Sequence, residues 1–282
     1  MKKIVGLLVV LLSLFIFSVS ISAAEKESNN DNDVYINEYE ALKQLSKNSS
    51  SQLMNMGYSK DEIKVIQNLE EEYANHLKSY SKLSDNELDN LGYSEGQIDL
   101  LRTYKGTEEE TIRLAATLNL RLNAHYVTHN SSTNRTNARL GFTWTWSGVP
   151  VFKTTDIIGV SWNDWSVTGS RASVTYVPQT GAPGTRYGTG TILSNSGPNS
   201  AGRGVRISMT QDDNYWWARS GSGHFDLRGN SANRKDLSAY AAYGHTTLSI
   251  SPGFSIPGYG SINFNWGMQT VAQAWEDARV SN

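Results

Sequence analysis

His224 and Asp226 stand two residues apart in the stretch Ser220-Gly221-Ser222-Gly223-His224-Phe225-Asp226. An extended chain turns alternate side chains to one face, so Ser220, Ser222, His224 and Asp226 would share it. His245 follows within Tyr243-Gly244-His245. If the two segments pair as neighbouring strands, His224, Asp226 and His245 converge and could ligate a metal or act as an acid–base pair. Ser222 beside His224 adds a nucleophile reading. None of these carries a specific signature. There is no G-x-S-x-G elbow, no H-E-x-x-H helix and no glycine-rich phosphate loop opening a helix. Polar residues alternate outward from any half-solvated sheet. No catalytic residue and no cofactor is therefore assigned.

A second set of residues suits recognition. Adjacent strand residues point to opposite faces, so Trp216 and Trp217 cannot both be core in a regular strand, and Trp217 shares its face with Phe225 and Leu227. Trp162 and Trp165 flank the Asn163-Asp164 turn, and Arg219 lies beside the tryptophan pair. Exposed tryptophan next to arginine suits sugars, peptides or anionic polymers. Trp162, Trp165, Trp216, Trp217 and Arg219 are the candidate binding residues. His125 and His129 have the spacing of one helical face, but no third ligand is near, and they read as loop histidines at the edge of a polar stretch. His76, on a charged helical face, needs no role.

The elements that would carry these residues fall into two halves. Residues 25–130 hold 19 acidic and 11 basic residues, residues 131–282 hold 8 and 12, and all eight tryptophans lie in the second half. In the first half, Ser49–Ile63 matches Ser84–Ile98 at a spacing of 35. In each copy a serine capping box opens a short helix, Gly57 or Gly92 ends it in the left-handed conformation, and Ser59 or Ser94 opens the next. Another box, Thr107 with Glu110, opens a run through Leu118. The reading is an α-helical domain over 35–129 with a 35-residue repeat, after an acidic disordered segment at 25–34. Residues 130–138 read as a polar linker.

From Leu140 the period becomes two. Leu140, Phe142, Trp144 and Trp146 alternate with small polar residues, and similar runs recur to Met268 with turns but no helices between them. Residues 139–282 therefore read as an antiparallel β-sandwich of about eight strands, and the whole as an α+β chain of two domains. Most of the tryptophans serve its core, because the chain has no cysteine to staple it. The lack of cysteine also excludes thiolate nucleophiles and zinc–thiolate sites.

Lys2-Lys3, the apolar run Ile4–Ile21 and Ser22-Ala23-Ala24 form an export signal, with cleavage expected after Ala24. The mature chain then retains no stable membrane span. Nucleic acid is a poor partner, since the basic half carries only +4 and has no basic run.

The segment Leu88-Asp89-Asn90-Leu91-Gly92-Tyr93-Ser94-Glu95-Gly96-Gln97-Ile98, continuing to Glu109, resembles part of a group of uncharacterised secreted proteins of Gram-positive bacilli. The resemblance covers about residues 80–150 and implies a helical part joined to a tryptophan-rich β part; it carries no catalytic residue onto this chain. The expected function is non-enzymatic binding at or beyond the cell surface, to a cell-wall polymer, a glycan or another protein. The alternative is a secreted membrane-active, bacteriocin-like toxin, because Ser-, Thr- and Gly-rich alternating strands resemble membrane hairpins. An extracellular hydrolase or metal-dependent enzyme comes third.

Overall fold

The computed structural model describes residues 33–194, 201–231, 235–246, 254–264 and 268–280. The segment expected to be an export signal and most of the acidic segment lie outside the described residues; Asp33 and Val34 already belong to a strand, β1 (Asp33–Asn37). Seven short helices follow: α1 (Glu38–Leu45), α2 (Ser50–Asn55), α3 (Lys60–Gln67), α4 (Leu69–Tyr80), α5 (Asp85–Asn90), α6 (Glu95–Arg102) and α7 (Glu108–Leu114). Reciprocal capping boxes open five of them, at Ser49/Gln52, Ser59/Glu62, Ser84/Glu87, Ser94/Gln97 and Thr107/Glu110. Each box satisfies two orphan amides at a helix start, which matters most where helices are only six to eight residues long. Gly57 (φ 95°) and Gly92 (φ 92°) turn the two corners. There Tyr58 N–H reaches Leu53 O and Tyr93 N–H reaches Leu88 O, the long-range bond of a Schellman cap.

Among the described residues, every helix or strand after α7 is a strand. A seven-stranded antiparallel sheet has the order β1, β2 (Thr117–Asn130), β3 (Arg135–Ser147), β10 (Trp216–Gly229), β5 (Trp165–Pro178) and β6 (Arg186–Thr189), with β9 (Thr210–Gln211) also paired to β10. A five-stranded sheet runs β14 (Met268–Arg279), β11 (Asp236–Thr246), β4 (Thr155–Trp162), β8 (Gly202–Ser208) and β7 (Thr191–Ser194). A small hairpin, β12 (Phe254–Gly258) with β13 (Ser261–Phe264), stands apart from both. It lies on the outside of the five-stranded sheet, where Ile262 packs on Gly159 and Phe254 on Gly204.

The inner faces of the two large sheets meet through aromatic rings. Trp144 and Trp146 of β3 lie 6.0 and 6.2 Å from Tyr243 of β11, and Trp162 of β4 lies 5.2 Å from Phe225 of β10. The helices share this core: Leu42, Tyr73, Leu88 and Tyr93 belong to the same buried cluster as Trp144, Trp146 and Val149.

Three expectations are corrected here. The helical part ends at Leu114, and Thr117–Asn130 is a strand whose Leu118, Leu120 and Leu122 point inward. Strict alternation of leucine with Asn119, Arg121 and Asn123 drives it. Residues 130–138 are the β2–β3 hairpin turn and the start of β3, with Asn130 opposite Arg135, not a linker between domains. The β region expected at residues 139–282 holds twelve strands among its described residues, β3 to β14, where about eight were expected, because the alternating runs are broken by bulges and tight turns that sequence periodicity passes over.

Candidate functional site

His224 and His245 do not converge. They lie on strands of different sheets, β10 and β11, and face opposite environments.

His245 is 2% exposed and is held between two buried carboxylates. Its Nδ1 lies 3.0 Å from Asp156 Oδ2, and its Nε2 lies 3.2 Å from Glu38 Oε1. Glu38, the first residue of α1, also accepts the backbone N–H groups of Val151 (2.9 Å) and Phe152 (3.2 Å) and the Tyr73 hydroxyl. Asp156 accepts the Tyr243 hydroxyl at 2.7 Å. Burial opposes a charged ring, but Asp156 and then Glu38 outweigh it and hold the His245 pKa up to about 10. Burial likewise opposes charge on Glu38, yet the bonds from His245 and Tyr73 keep its pKa below the ordinary value. The result is a sealed imidazolium between two carboxylates, with no face open to a substrate. It ties α1 to the five-stranded sheet.

His224 projects from the outer face of the seven-stranded sheet. Register places side chains there in rows across four strands. Asn123 (β2), Gly141 (β3), His224 (β10) and Arg171 (β5) form one row, and Arg121, Thr143, Ser222 and Ser173 the next. All of these but Gly141 line an open groove of about 510 Å³. Asp226, one row further, is taken by Arg139 through two bonds of 2.7 and 3.1 Å, and this pair holds the Asp226 carboxyl below its usual range. The Asp226 carboxylate also lies 3.9 Å from His224 Nε2. Burial, then the Arg139 guanidinium, keeps His224 below the ordinary imidazole pKa.

A bulge completes the groove. Ala124 and Tyr126 face the consecutive residues Leu140 and Arg139, so His125 is the extra residue of β2. Bulges re-aim the extra side chain, and here the imidazole lies over Gly141: a β-carbon at 141 would sit 2.2 Å from His125 Nε2. Glycine at that place makes room for the ring.

The expected binding residues fall elsewhere. Trp162, Trp165 and Trp217 are fully buried; Trp162 Nε1 donates to Trp165 O and Trp165 Nε1 to Asp236 O. All three belong to the core and none can meet a ligand. Trp216 is half-buried, with the Arg186 guanidinium 5.3 Å above its ring and Tyr215 edge-on at 5.5 Å. Arg219 is the extra residue of a second bulge, between Ala218 and Ser220 of β10. It points to the helices, where Nη1 donates to Asn90 O at 3.0 Å beside Gly92. Its role is to dock the α5–α6 corner.

His125 and His129 lie on β2, not in a loop, and His129 Nδ1 meets the Thr136 hydroxyl at 3.0 Å. His76 is packed against Tyr73 and Tyr80 and meets Val149 O at 2.8 Å; burial pushes its pKa down to about 4. Among the described residues no group of three or more His, Cys, Asp and Glu side chains is arranged to hold a metal ion. Sequence reasoning missed Arg121, Asn123, His125, Arg171 and Ser173 as groove residues. The alternation around Leu118–Leu122 was the available signal for the first two.

No family model matches the chain, and no curated protein does. Solved structures with distant likeness include a collagen-binding domain from a Staphylococcus aureus adhesin. It is 9% identical, with a TM-score of 0.28 over 57% of this chain and 97% of that one. Another, from work on pH-induced modulation of Streptococcus parasanguinis adhesion by Fap1 fimbriae, is 12% identical, with a TM-score of 0.25 over 59% and 80%. A third, AvmM, which catalyses macrocyclization in alchivemycin A biosynthesis, is 12% identical, with a TM-score of 0.25 over 52% and 80%.

Proposed function

We propose that this chain is a secreted, non-enzymatic binding protein acting at or outside the cell surface, and that the outer face of its seven-stranded sheet is the binding face. The observation that carries the reading is the contrast in access. The His245 imidazole, whose pKa is held up to about 10, is sealed in the core between Glu38 and Asp156, whereas the face around His224 is an open row-by-row array of Asn, Thr, Ser, Arg and His. Such a face offers many hydrogen-bond donors and no aligned nucleophile and base, which suits recognition of a polar chain rather than its cleavage. The export signal at residues 1–24 supports the location. Cell-wall polymer, glycan and another protein remain the partner classes.

The test is retention on cell walls and whole cells by the purified mature protein and two variants. Ser222 is exposed at the centre of the groove, so Ser222→Trp blocks it without touching the core. Arg206→Trp places the same bulk on the opposite, five-stranded sheet, where Arg206 is exposed. Retention lost in the first and kept in the second is expected. Equal retention by both removes this face from the reading, and release of dye from liposomes by the wild type would replace it with the membrane-active alternative.

A further inference from the structure

We infer that the groove is an oxyanion site, in which Arg171, His224 and His125 receive phosphate or sulfate esters carried on a hydroxyl-rich chain. The inference rests on the binding-face reading and names its ligand chemistry.

The charges decide the sign of the ligand. Asp226, one row from the groove, is neutralised by Arg139 with two hydrogen bonds. Arg121 on the far side is shared with Asp33 at 3.6 Å. Arg171 is exposed, and among the described residues no carboxylate lies within ion-pair distance of it. Two guanidiniums, Arg121 and Arg171, and two imidazoles thus line the groove; among the described residues the nearby carboxylates are Asp226, paired with Arg139, and Asp33 and Glu276, which act on Arg121 at the far end, while Arg171 is in none of these pairs. The whole chain is slightly acidic, with a formal charge of −2, so attraction for a polyanion has to be local to this face.

The neutral residues decide what the anion is carried on. Asn123, Thr143, Ser222 and Ser173 surround the cations with amide and hydroxyl groups that both donate and accept. Three strand spacings separate the β2 and β5 backbones, about 14 Å, which fits a chain lying across the sheet better than a lone ion. Gly141 leaves the middle of that path without a side chain, and the bulge at His125 swings its ring over it.

The same geometry makes binding depend on pH. The His224 ring is faced by Asp226 on its own strand, Arg139 from β3, Arg171 from β5 and His125 from β2. Three of these four neighbours disfavour the protonated ring, and an oxyanion entering beside Arg171 reverses that balance. Binding therefore takes up a proton and strengthens as pH falls through the imidazole range.

The experiment measures binding of the full mature protein to dextran sulfate, poly(glycerol phosphate) and neutral dextran at about pH 7.5 and pH 5.5. At least one of the two charged polymers should bind, and which one does separates sulfate from phosphate ester as the source; neutral dextran should not. Loss of a charge-assisted contact should weaken binding about tenfold or more in Arg171→Gln, while Arg206→Gln on the other sheet stays at the wild-type value. His224→Gln should abolish most of the gain at the lower pH. Circular dichroism confirms the fold of each variant, and both groove substitutions lie on exposed or half-exposed positions. Equal loss in Arg206→Gln would mark diffuse charge and overturn the site. If neither polymer binds while Ser222→Trp still abolishes retention on cell walls, the face binds and the ligand class is wrong. If neither polymer binds and Ser222→Trp has no effect, the binding-face reading itself falls.

Discussion

His245 and His224 carry the same imidazole beside the same type of partner, an aspartate, yet the protein uses them in opposite ways. His245 is enclosed on every side: Asp156 and Glu38 bond its two nitrogens, Trp146 packs 5.2 Å from its ring, and each carboxylate is in turn held by a tyrosine hydroxyl. His224 has one carboxylate at 3.9 Å, and that one is already claimed by Arg139. The lesson is that residue type does not distinguish a clamp from a site. Closure does. A buried ion triad whose every side-chain nitrogen and oxygen has a partner holds elements in register, whereas a half-exposed imidazole on an open face keeps its bonding capacity for something else.

The largest effect that could break this comparison is on stability. Removing one member of a buried ionic pair leaves uncompensated charge and typically costs about 3–5 kcal/mol. His245→Ala strands two buried carboxylates, so its thermal midpoint should fall by about 10 °C. His224→Ala should stay within about 0.5 kcal/mol of the wild type, as surface substitutions do. Scanning calorimetry of the three proteins decides it. Comparable midpoints for the two variants would mean that the triad is no clamp.

A second effect follows from pH. The His245 pKa is raised in the folded protein, to about 10, above its unfolded value near 6.5. Its stabilisation is therefore complete below about pH 6.5 and is lost as pH climbs towards 10. Glu38 is depressed, so its contribution is present above its unfolded value and disappears as pH falls below it. His76 is depressed to about 4, and its share is lost as pH drops from about 6.5 towards that value. Denaturant midpoints measured across pH should fall on both sides of neutrality, and His245→Gln should flatten the alkaline side and, by removing the charge that holds Glu38 down, reduce that residue's part of the acid side as well. An unchanged alkaline limb in that variant would remove the imidazolium from the core.

The two bulges sharpen the same contrast at smaller scale. Arg219 and His125 are both the extra residue of an irregular strand, but Arg219 is turned under the α5–α6 corner and His125 over the open groove. Arg219→Ala removes the donor to Asn90 O and should cost about 1–2 kcal/mol in urea unfolding. Arg171→Ala, on the open side, should change the midpoint by about 0.5 kcal/mol or less. Similar costs would place Arg171 in a structural contact too.

How far the sequence foretold these arrangements depends on the range of the interactions. Local signals were legible: five capping boxes, two left-handed glycine corners, and the alternation that sends Phe142, Trp144 and Trp146 inward. The β2 strand was readable from Thr117-Leu118-Asn119-Leu120-Arg121-Leu122-Asn123 but was masked by the helical run preceding it. Nothing local announced the triad. Glu38 and His245 are 207 positions apart, and only the docking of α1 on the far sheet brings them together. The groove was half legible, because Ser222, His224 and Asp226 share a face by alternation, while Arg171 and His125 join them only through strand order and a bulge.

The smallest effect sets the comparison on one substitution made twice. Gly92 and Gly141 are both crowded: a β-carbon at 92 would lie 3.0 Å from the Arg219 guanidinium, and one at 141 would lie 2.2 Å from His125 Nε2. Distance alone ranks Gly141 as the worse place for a methyl group. Closure reverses the ranking. Gly92 has φ 92°, where a β-carbon costs roughly 1 kcal/mol or more, and the guanidinium it meets is fixed by Asn90 O. Gly141 lies in a regular strand, and the atoms it meets are the ends of an exposed imidazole and of Asn123, which can swing outward. Alanine also lowers the conformational entropy of the unfolded chain, which offsets part of the remaining cost. Gly92→Ala should thus lower the midpoint by a few degrees, while Gly141→Ala should leave it within about 2 °C of the wild type. Nuclear magnetic resonance of the histidine side chains gives the other half of the result. Gly141→Ala should shift the His125 ring signals, and those of its neighbour His224 less, with His245 unmoved in its closed shell. If Gly141→Ala destabilises more than Gly92→Ala, the ring over the groove is as firmly held as the one in the core, and the open side is not open.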